Sequence, residues 1–144
     1  MVHDEVTTQP SGNLDLVRSI YADWERGDYS SAEWAHPEIE YVILHRGGFA
    51  PVNARGPTAM REAARANIDA WAQLRIAAEE YRVLDSERVL VLDDVSGRGK
   101  RSGLEIGQLG AGGAHLFHVR DGMVARLVAY EDRDRALADL GLKE

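Results

Sequence analysis

Two histidines stand three residues apart near the end of the chain, in the stretch GAHLFHVRDGMVARLVAYED. The apolar residues around His115 and His118 predict a strand, and strand side chains an odd number of residues apart point to opposite faces. The two imidazoles therefore cannot bind one metal ion together. An imidazole can both give and take a proton near neutral pH, so each ring is a candidate general acid or base.

Carboxylates would supply the other half of such acid–base chemistry. Asp93 and Asp94 are adjacent in a predicted strand that otherwise consists of Val and Leu, so one of the two points inward. A carboxylate held among apolar side chains is desolvated, which is one way that an acid becomes useful at neutral pH. Parity alone does not say which aspartate it is. The alternative for both is a strand end or an ion pair between subunits.

Several other side chains are candidates for a binding pocket. Asn67 interrupts the apolar stripe of a predicted helix, and Tyr41 and His45 share one face of a predicted strand with Ile39 and Ile43. Each is either a polar group of a pocket or a hydrogen-bonded residue of the core. Aromatic walls suit both a core and a flat ligand, so the same alternatives apply to five aromatic residues. These are Tyr21, Trp24, Trp34, Trp71 and Phe117.

The elements that position these residues follow from hydrophobic periodicity and from Gly and Pro. Residues 1–12 lack periodicity, which predicts a flexible N-terminal arm before a single domain at 13–144. Helices are predicted at 14–26 with Asn13 as N-cap, at 31–36, from Pro57 to a stripe that ends at Trp71, and at 132–140. Strands are predicted at 38–45, 75–84, 88–96, 103–119 and 123–131, with 47–57 as a loop. The order predicts an antiparallel sheet with its helices on one face.

The composition excludes several classes of function. The 144 residues contain no cysteine, which rules out disulfides, thiolate chemistry and zinc ribbons, and an intracellular, cytoplasmic location is expected. The net charge of −7 disfavours nucleic acid as a partner. No apolar run is long enough for a membrane helix, and the first residues do not resemble a signal peptide, so no membrane partner is expected.

The strand at 88–96 also predicts how the protein associates. Val89 and Val91 point to one face and Leu90 and Leu92 to the other, so both faces require burial. Helices can cover one face, and a second copy of the chain is the simplest cover for the other. We therefore expect a homodimer that packs through the outer face of the sheet.

Three stretches together resemble a known family: WERGDYSSAEWAHPEIEY near the start, RGPTAMREA at the third helix, and HVRDGMVARLVAYEDRDRALADLGL at the end. In this order of elements they resemble the nuclear transport factor 2-like superfamily, and within it the SnoaL-like and ketosteroid isomerase-like proteins. The resemblance covers roughly residues 13–142. It implies an α+β fold: a cone-like, curved, mixed and mainly antiparallel sheet wrapped around three N-terminal helices, with a short C-terminal helix. It also implies an apolar pocket and frequent dimers.

The resemblance carries over to individual positions unevenly. The carboxylate base of the isomerases falls on Val42, and the acid of the SnoaL-type cyclases falls on Ala129, so both bases are missing. The tyrosine on the first helix falls on Ile20, beside Tyr21. The penultimate-strand position, an acid in the isomerases and a histidine in the cyclases, falls on His115.

The same resemblance implies which side chains face the pocket. His115 would face it together with Phe117 and Val119, whereas His118 would face away. Glu131 shares the face of Ala129 and would bring a carboxylate to the rim. The GAGG stretch before His115 is an apparent insertion that can bulge or break this strand.

These observations predict a pocket for a small hydrophobic or polycyclic metabolite, without a metal or another cofactor. If the protein is an enzyme, an isomerase, cyclase or dehydratase centred on His115 is expected, with Glu131, Asp93 and Asp94 as further candidates. The alternative is a non-catalytic binding or dimerisation module, which the loss of both family bases favours. The reaction, the substrate and the pathway stay open at this point.

Overall fold

The computed structural model describes residues 10–45, 49–69, 71–99 and 112–143, within which the chain forms three helices and six strands. In chain order they are α1 (Pro10–Glu25), β1 (Ala35–Leu44), β2 (Val52–Arg55), α2 (Pro57–Asp69), β3 (Trp71–Val83), β4 (Arg88–Gly99), β5 (Ala114–Arg120), β6 (Met123–Tyr130) and α3 (Arg133–Leu140). The α+β class predicted from the sequence is confirmed.

Helix α1 begins earlier than predicted. It starts at Pro10, so Asn13 lies inside the helix and does not cap it. The Asn13 side-chain amide instead donates to the carbonyl of Ser86 at 2.7 Å, which ties the helix to the turn before β4. The arm predicted at residues 1–12 is therefore helical from residue 10, and residues 1–9 lie outside the described part of the chain.

The short helix predicted at 31–36 is wrong. This segment forms a turn, and β1 already begins at Ala35, which pairs with Val124 of β6. The amide of Val124 donates to the carbonyl of Trp34 at 2.8 Å. The Trp34 carbonyl and the backbone of Ala35 therefore pair with β6, so they are not available for the hydrogen bonds of a local helix. Of the three N-terminal helices expected, the described residues contain two, α1 and the later α2 at Pro57–Asp69.

Part of the segment predicted as a loop at 47–57 forms a short edge strand, β2. Strand β2 lies antiparallel to β1, with Glu40 opposite Arg55 and Ile43 opposite Val52. Pro51 directly precedes it, where the missing N–H costs no ladder hydrogen bond. Helix α2 begins at Pro57 as predicted but ends at Asp69, and Trp71 is the first residue of β3 and not the last of the helical stripe.

The six strands form one mixed sheet in the order β2-β1-β6-β5-β4-β3. The pair β1–β6 is parallel and all other neighbours are antiparallel, which includes the predicted meander of β4, β5 and β6. Helix α1 packs on β3 and β4, and α2 packs on β1, β2 and β3. The main core lies between these helices and the inner face of the sheet.

The outer face of the sheet is covered by the chain itself. Leu90, Leu92 and Leu116 are buried there against Ala136 and Leu137 of α3. Asp132 caps the start of this helix, and the left-handed Gly141 ends it. Since α3 supplies the cover for which a second copy was invoked, the physical reason for the predicted dimer is removed. The dimer itself remains a prediction, which sedimentation of the purified protein would test.

Candidate active site

Three polar side chains meet beneath the inner face of the sheet. His115 Nδ1 lies 2.7 Å from Asp93 Oδ2, and the Tyr21 hydroxyl donates to Asp93 Oδ1 at 2.5 Å. The Tyr21 hydroxyl oxygen is also 3.2 Å from His115 Nδ1. The Asp93 residue is 1% exposed and the His115 side chain 12% exposed. The group is therefore a buried, hydrogen-bonded triad with the imidazole at its more open end.

Strand register brings the triad together. Strand β4 places Val91 opposite His115 on β5, so Asp93, two residues further on, is the diagonal neighbour of His115 on the same face. This answers the question that parity left open, because Asp93 points inward whereas Asp94 is exposed. Asp94 therefore does not belong to the site.

The hydrogen bonds of the triad assign a role to each atom. The Tyr21 hydroxyl has one proton and donates it to Asp93 Oδ1. In the His115 tautomer that carries its proton on Nδ1, that N–H donates to Asp93 Oδ2. This arrangement leaves Nε2 as the ring nitrogen available to a molecule in the cavity that His115 lines. A carboxylate behind an imidazole fixes its tautomer and stabilises the imidazolium that forms when Nε2 takes a proton.

Tyr21 remains a proton donor throughout the usual pH range. Burial, together with the negative charge of Asp93 and the hydrogen bond to it, raises the pKa of the Tyr21 phenol well above its usual value. The family resemblance implied Ile20 at the tyrosine position, but both residues lie on the buried face of α1 and it is Tyr21 that reaches the site. Tyr21 stands behind His115 and does not line the cavity.

A second pair of acid and imidazole lies at the ends of β1 and β6. Glu131 Oε2 is 2.9 Å from His45 Nδ1, and the two side chains are 33% and 23% exposed. Glu131 lines the same cavity as His115, as expected for a carboxylate at the rim. His45 was expected to contact a ligand directly, but it lies behind Glu131 and is not among the lining residues.

Beside the triad is a cavity of about 170 Å³ with mostly apolar walls. Its lining includes four of the side chains predicted to form a binding pocket, Trp24, Trp34, Tyr41 and Asn67. Phe117 was expected there too, but it is 0% exposed and packs in the core against Tyr21 and Trp24. The side chain of Trp71 lies outside the described residues.

Other lining residues carry no signal in the sequence. Tyr29 and Arg61 line the cavity but were not predicted to do so. Arg61 follows Met60 of the predicted apolar stripe but lies about 100° round the helix and is exposed, so helical spacing does not indicate it. Tyr29 lies in the turn between α1 and β1, which has no periodicity to interpret.

Two glycines explain part of the GAGG stretch. A Cβ atom on Gly112 would lie 2.3 Å from the carbonyl oxygen of Asp93, and one on Gly113 would lie 2.5 Å from that of Tyr130. Side chains at these positions are therefore excluded by backbone. The close approach lets the Asp93 amide donate to the Gly113 carbonyl at 2.9 Å. Strand β5 begins just after, at Ala114, while residues 110 and 111 lie outside the described ranges.

Arg133 at the start of α3 supports the triad from behind. Its guanidinium donates to the Asp93 carbonyl at 2.8 Å and pairs with Glu79 at 2.5 Å. Its backbone amide donates to the Gly112 carbonyl at 3.0 Å. The C-terminal helix thus fixes the backbone on which the catalytic candidate Asp93 stands.

The described residues contain neither a cluster of metal ligands nor a helix that could cross a membrane. In that part of the chain, no three His, Asp or Glu side chains come close enough together to hold a metal ion. Within the same ranges, no helix is both long and apolar enough to span a bilayer.

Comparison with solved structures identifies the fold. TerC, crystallised with polyporic acid, matches 92% of this chain and 98% of its own with a TM-score of 0.66 and 20% identity. A ketosteroid isomerase-like protein from Catenulispora acidiphila in complex with trimethylamine matches 90% and 94%, with a TM-score of 0.63 and 14% identity. A nuclear transport factor 2-like protein from Burkholderia thailandensis matches 88% and 95%, with a TM-score of 0.68 and 18% identity.

The chain therefore has the fold of the nuclear transport factor 2-like superfamily, the group that its sequence resembles. No protein-family model matches the sequence, and no curated protein matches it significantly. At these identities the structural likeness establishes the fold alone, and the side chains of the cavity must indicate the chemistry.

Proposed function

We propose that the cavity binds a small, largely apolar ring compound and that His115 Nε2 exchanges a proton with it, without a cofactor. The observation that carries the proposal is the 2.7 Å contact between His115 Nδ1 and the buried carboxylate of Asp93. Burying a charged group costs free energy unless it is hydrogen-bonded. An orienting carboxylate behind a cavity-facing imidazole is the arrangement that a general base requires.

The walls of the cavity support a ligand with aromatic rings and oxygen atoms. Trp24, Trp34 and Tyr41 offer flat apolar surfaces. The indole N–H of Trp34 is buried and has no acceptor in the described structure, so an oxygen of a ligand would satisfy it. The likeness to TerC, which was crystallised with polyporic acid, is compatible with such a ligand.

The test combines ligand detection with a simple proton-abstraction reaction. Native mass spectrometry of the purified protein would reveal a retained compound. The probe 5-nitrobenzisoxazole needs only a base: removal of the C3 proton breaks the N–O bond and gives a coloured 2-cyano-4-nitrophenolate. We expect the protein to accelerate this reaction above buffer. We expect His115→Gln to lose most of the acceleration, since a positioned base contributes about 10²–10⁴-fold.

His118→Gln is the matched control, because His118 lies on the same strand but on the opposite face. It should retain the activity of the unchanged protein. Equal loss in both variants, or no effect of His115→Gln, would contradict a role for His115 as the base.

The second candidate function is binding without catalysis. Val42 and Ala129 occupy the positions at which the resembling isomerases and cyclases carry their carboxylate bases, and this favours it. Under this alternative, a retained compound or the probe would bind in the cavity, yet turnover of 5-nitrobenzisoxazole would not depend on His115. Binding and turnover measured on the same preparation therefore separate the two functions.

A further inference from the structure

The two pairs of imidazole and carboxylate are arranged in opposite senses around one cavity. In the first pair His115 is oriented by the deeply buried Asp93. In the second pair the carboxylate of Glu131 lines the cavity and His45 stands behind it at 2.9 Å. One pair therefore presents a ring nitrogen to the cavity and the other presents a carboxyl oxygen.

Strand register places the second pair near the first. His115 is paired with Ala129 of β6, and Ala129 is paired with Ile43 of β1. Glu131 lies two residues after Ala129 and His45 two residues after Ile43, each directly after the end of its strand. Glu131 is thus the diagonal neighbour of His115 across the β5–β6 ladder, at a backbone separation of about 7–8 Å.

The positions between the two pairs lack large side chains. Ala129, opposite His115, carries only a methyl group. Gly113, which directly precedes β5 and lies opposite Glu131, has no side chain. The Tyr130 carbonyl lies too close to Gly113 for a Cβ atom. Both residues line the cavity, so they leave an open floor between the imidazole of His115 and the carboxyl of Glu131.

We propose that Glu131, positioned by His45, is the second proton-transfer group of this cavity, acting on an atom of the substrate other than the one that His115 deprotonates. This inference rests on the proposed function of His115. A carboxyl and an imidazole in contact can hold one proton between them, which makes the pair a proton donor as well as an acceptor. The other charged or titratable lining groups are Asp93, Arg61, Tyr29, Tyr41 and Tyr130.

Such a site suits a carbonyl compound with an acidic C–H bond. His115 Nε2 takes the carbon-bound proton as the C–H bond breaks and a C=C bond forms. The Glu131–His45 pair gives its proton to the carbonyl oxygen, which becomes an enol hydroxyl. Reversal returns both protons, so no oxidant, reductant or co-substrate is needed. A substrate that needs both transfers gains from both pairs, whereas 5-nitrobenzisoxazole needs only the base.

The experiment uses 2-tetralone in D2O with the full-length protein. Loss of the C1 proton signal in NMR measures enolisation, and the rate is followed against pH. We expect the unchanged protein to give a bell-shaped profile, because one group must be deprotonated and another protonated. Glu131→Gln should lower the exchange rate by about tenfold or more and remove one limb of the profile. His45→Gln should shift that limb, which a merely structural role would not do.

The control is Glu38→Gln. Glu38 is exposed and lies in β1, the strand that His45 directly follows, so its replacement should leave the exchange rate unchanged. Circular dichroism melting verifies that each variant folds, and Glu131→Asp should restore part of the rate if Glu131→Gln does not fold. The rate of 2-tetralone exchange relative to 5-nitrobenzisoxazole turnover shows whether this inference or the proposed function has failed. A Glu131→Gln variant that loses no more 2-tetralone exchange than 5-nitrobenzisoxazole turnover overturns this inference alone. Absence of any His115-dependent reaction overturns the proposed function.

Discussion

The phenol oxygen of Tyr21 lies 2.5 Å from Asp93 Oδ1, although 72 residues separate them in the chain. Through this contact helix α1 holds the carboxylate that orients His115. A buried carboxylate keeps its charge only when donors replace the lost water, and Tyr21 and His115 are the donors that reach Asp93 Oδ1 and Oδ2.

Removal of the Tyr21 hydroxyl should weaken both the fold and the site. Tyr21→Phe leaves a buried carboxylate oxygen without its donor, which costs about 1–3 kcal/mol in the free energy of unfolding. Urea unfolding would measure this, and turnover of 5-nitrobenzisoxazole should fall as well. Tyr81→Phe is the control, because the Tyr81 ring packs edge-on against Tyr21 but no hydrogen bond joins it to Asp93. Equal stability of the Tyr21→Phe variant and the unchanged protein would contradict the role of this hydrogen bond.

Neutralising Asp93 should impair the base more than the binding of a ligand. In Asp93→Asn the side chain keeps its shape, but it no longer stabilises an imidazolium and can present an N–H to His115 Nδ1. The second effect places the ring proton on Nε2. We expect turnover of 5-nitrobenzisoxazole to fall about a hundredfold. Asp94→Asn is exposed and should behave like the unchanged protein. Similar losses in both aspartate variants would point to a general electrostatic effect.

Gly113→Ala should disturb the floor of the cavity. The added Cβ would lie 2.5 Å from the Tyr130 carbonyl oxygen, so one of the two backbones must move. We expect a loss of about 1–3 kcal/mol in unfolding free energy, as for overpacked interiors. Because Gly113 accepts from the Asp93 amide, the NMR signals of the His115 ring should shift too. Unchanged stability together with unchanged ring signals would show that the close approach is not required.

His118 should make the fold sensitive to acid. Burial, together with the positive charges of Arg126 and Arg88, lowers the pKa of the His118 imidazole. The folded chain therefore binds the proton less readily than the unfolded chain. The stability associated with this residue is present above the unfolded pKa of about 6.5 and is lost as the pH falls below it, down to the folded pKa. His118→Gln should lose less stability than the unchanged protein between about pH 7 and pH 5.

The measurement for His118 is the urea midpoint at several pH values in this range. Above about pH 7 the difference in urea midpoint between the His118→Gln variant and the unchanged protein should be constant. This difference should narrow or reverse as the pH falls toward 5. A constant difference down to pH 5 would contradict the lowered pKa.

Much of the fold could be predicted from local pattern. The helix from Pro57, the meander and the C-terminal helix with Gly141 at its end all follow from periodicity and from turn residues. The errors occur where a distant partner decides the structure. Ser30 and Glu33 have capping-box spacing, which predicts a helix at 31–36, but the backbone of Trp34 and Ala35 pairs with β6. The short β2 has little local signal and pairs with the edge of β1.

The candidate site divides along the same line. Residue types and alternation on a strand were enough to separate His115 from His118 and to nominate Asp93 and Asp94, and the family resemblance added Glu131. Strand register, helix rotation and the docking of α3 decided the rest: Asp93 and not Asp94 meets His115, Tyr21 completes the triad, and His45 joins Glu131. Sequence periodicity encodes which face a side chain takes. Which side chains meet across elements depends on register and packing, which form only when the whole chain folds.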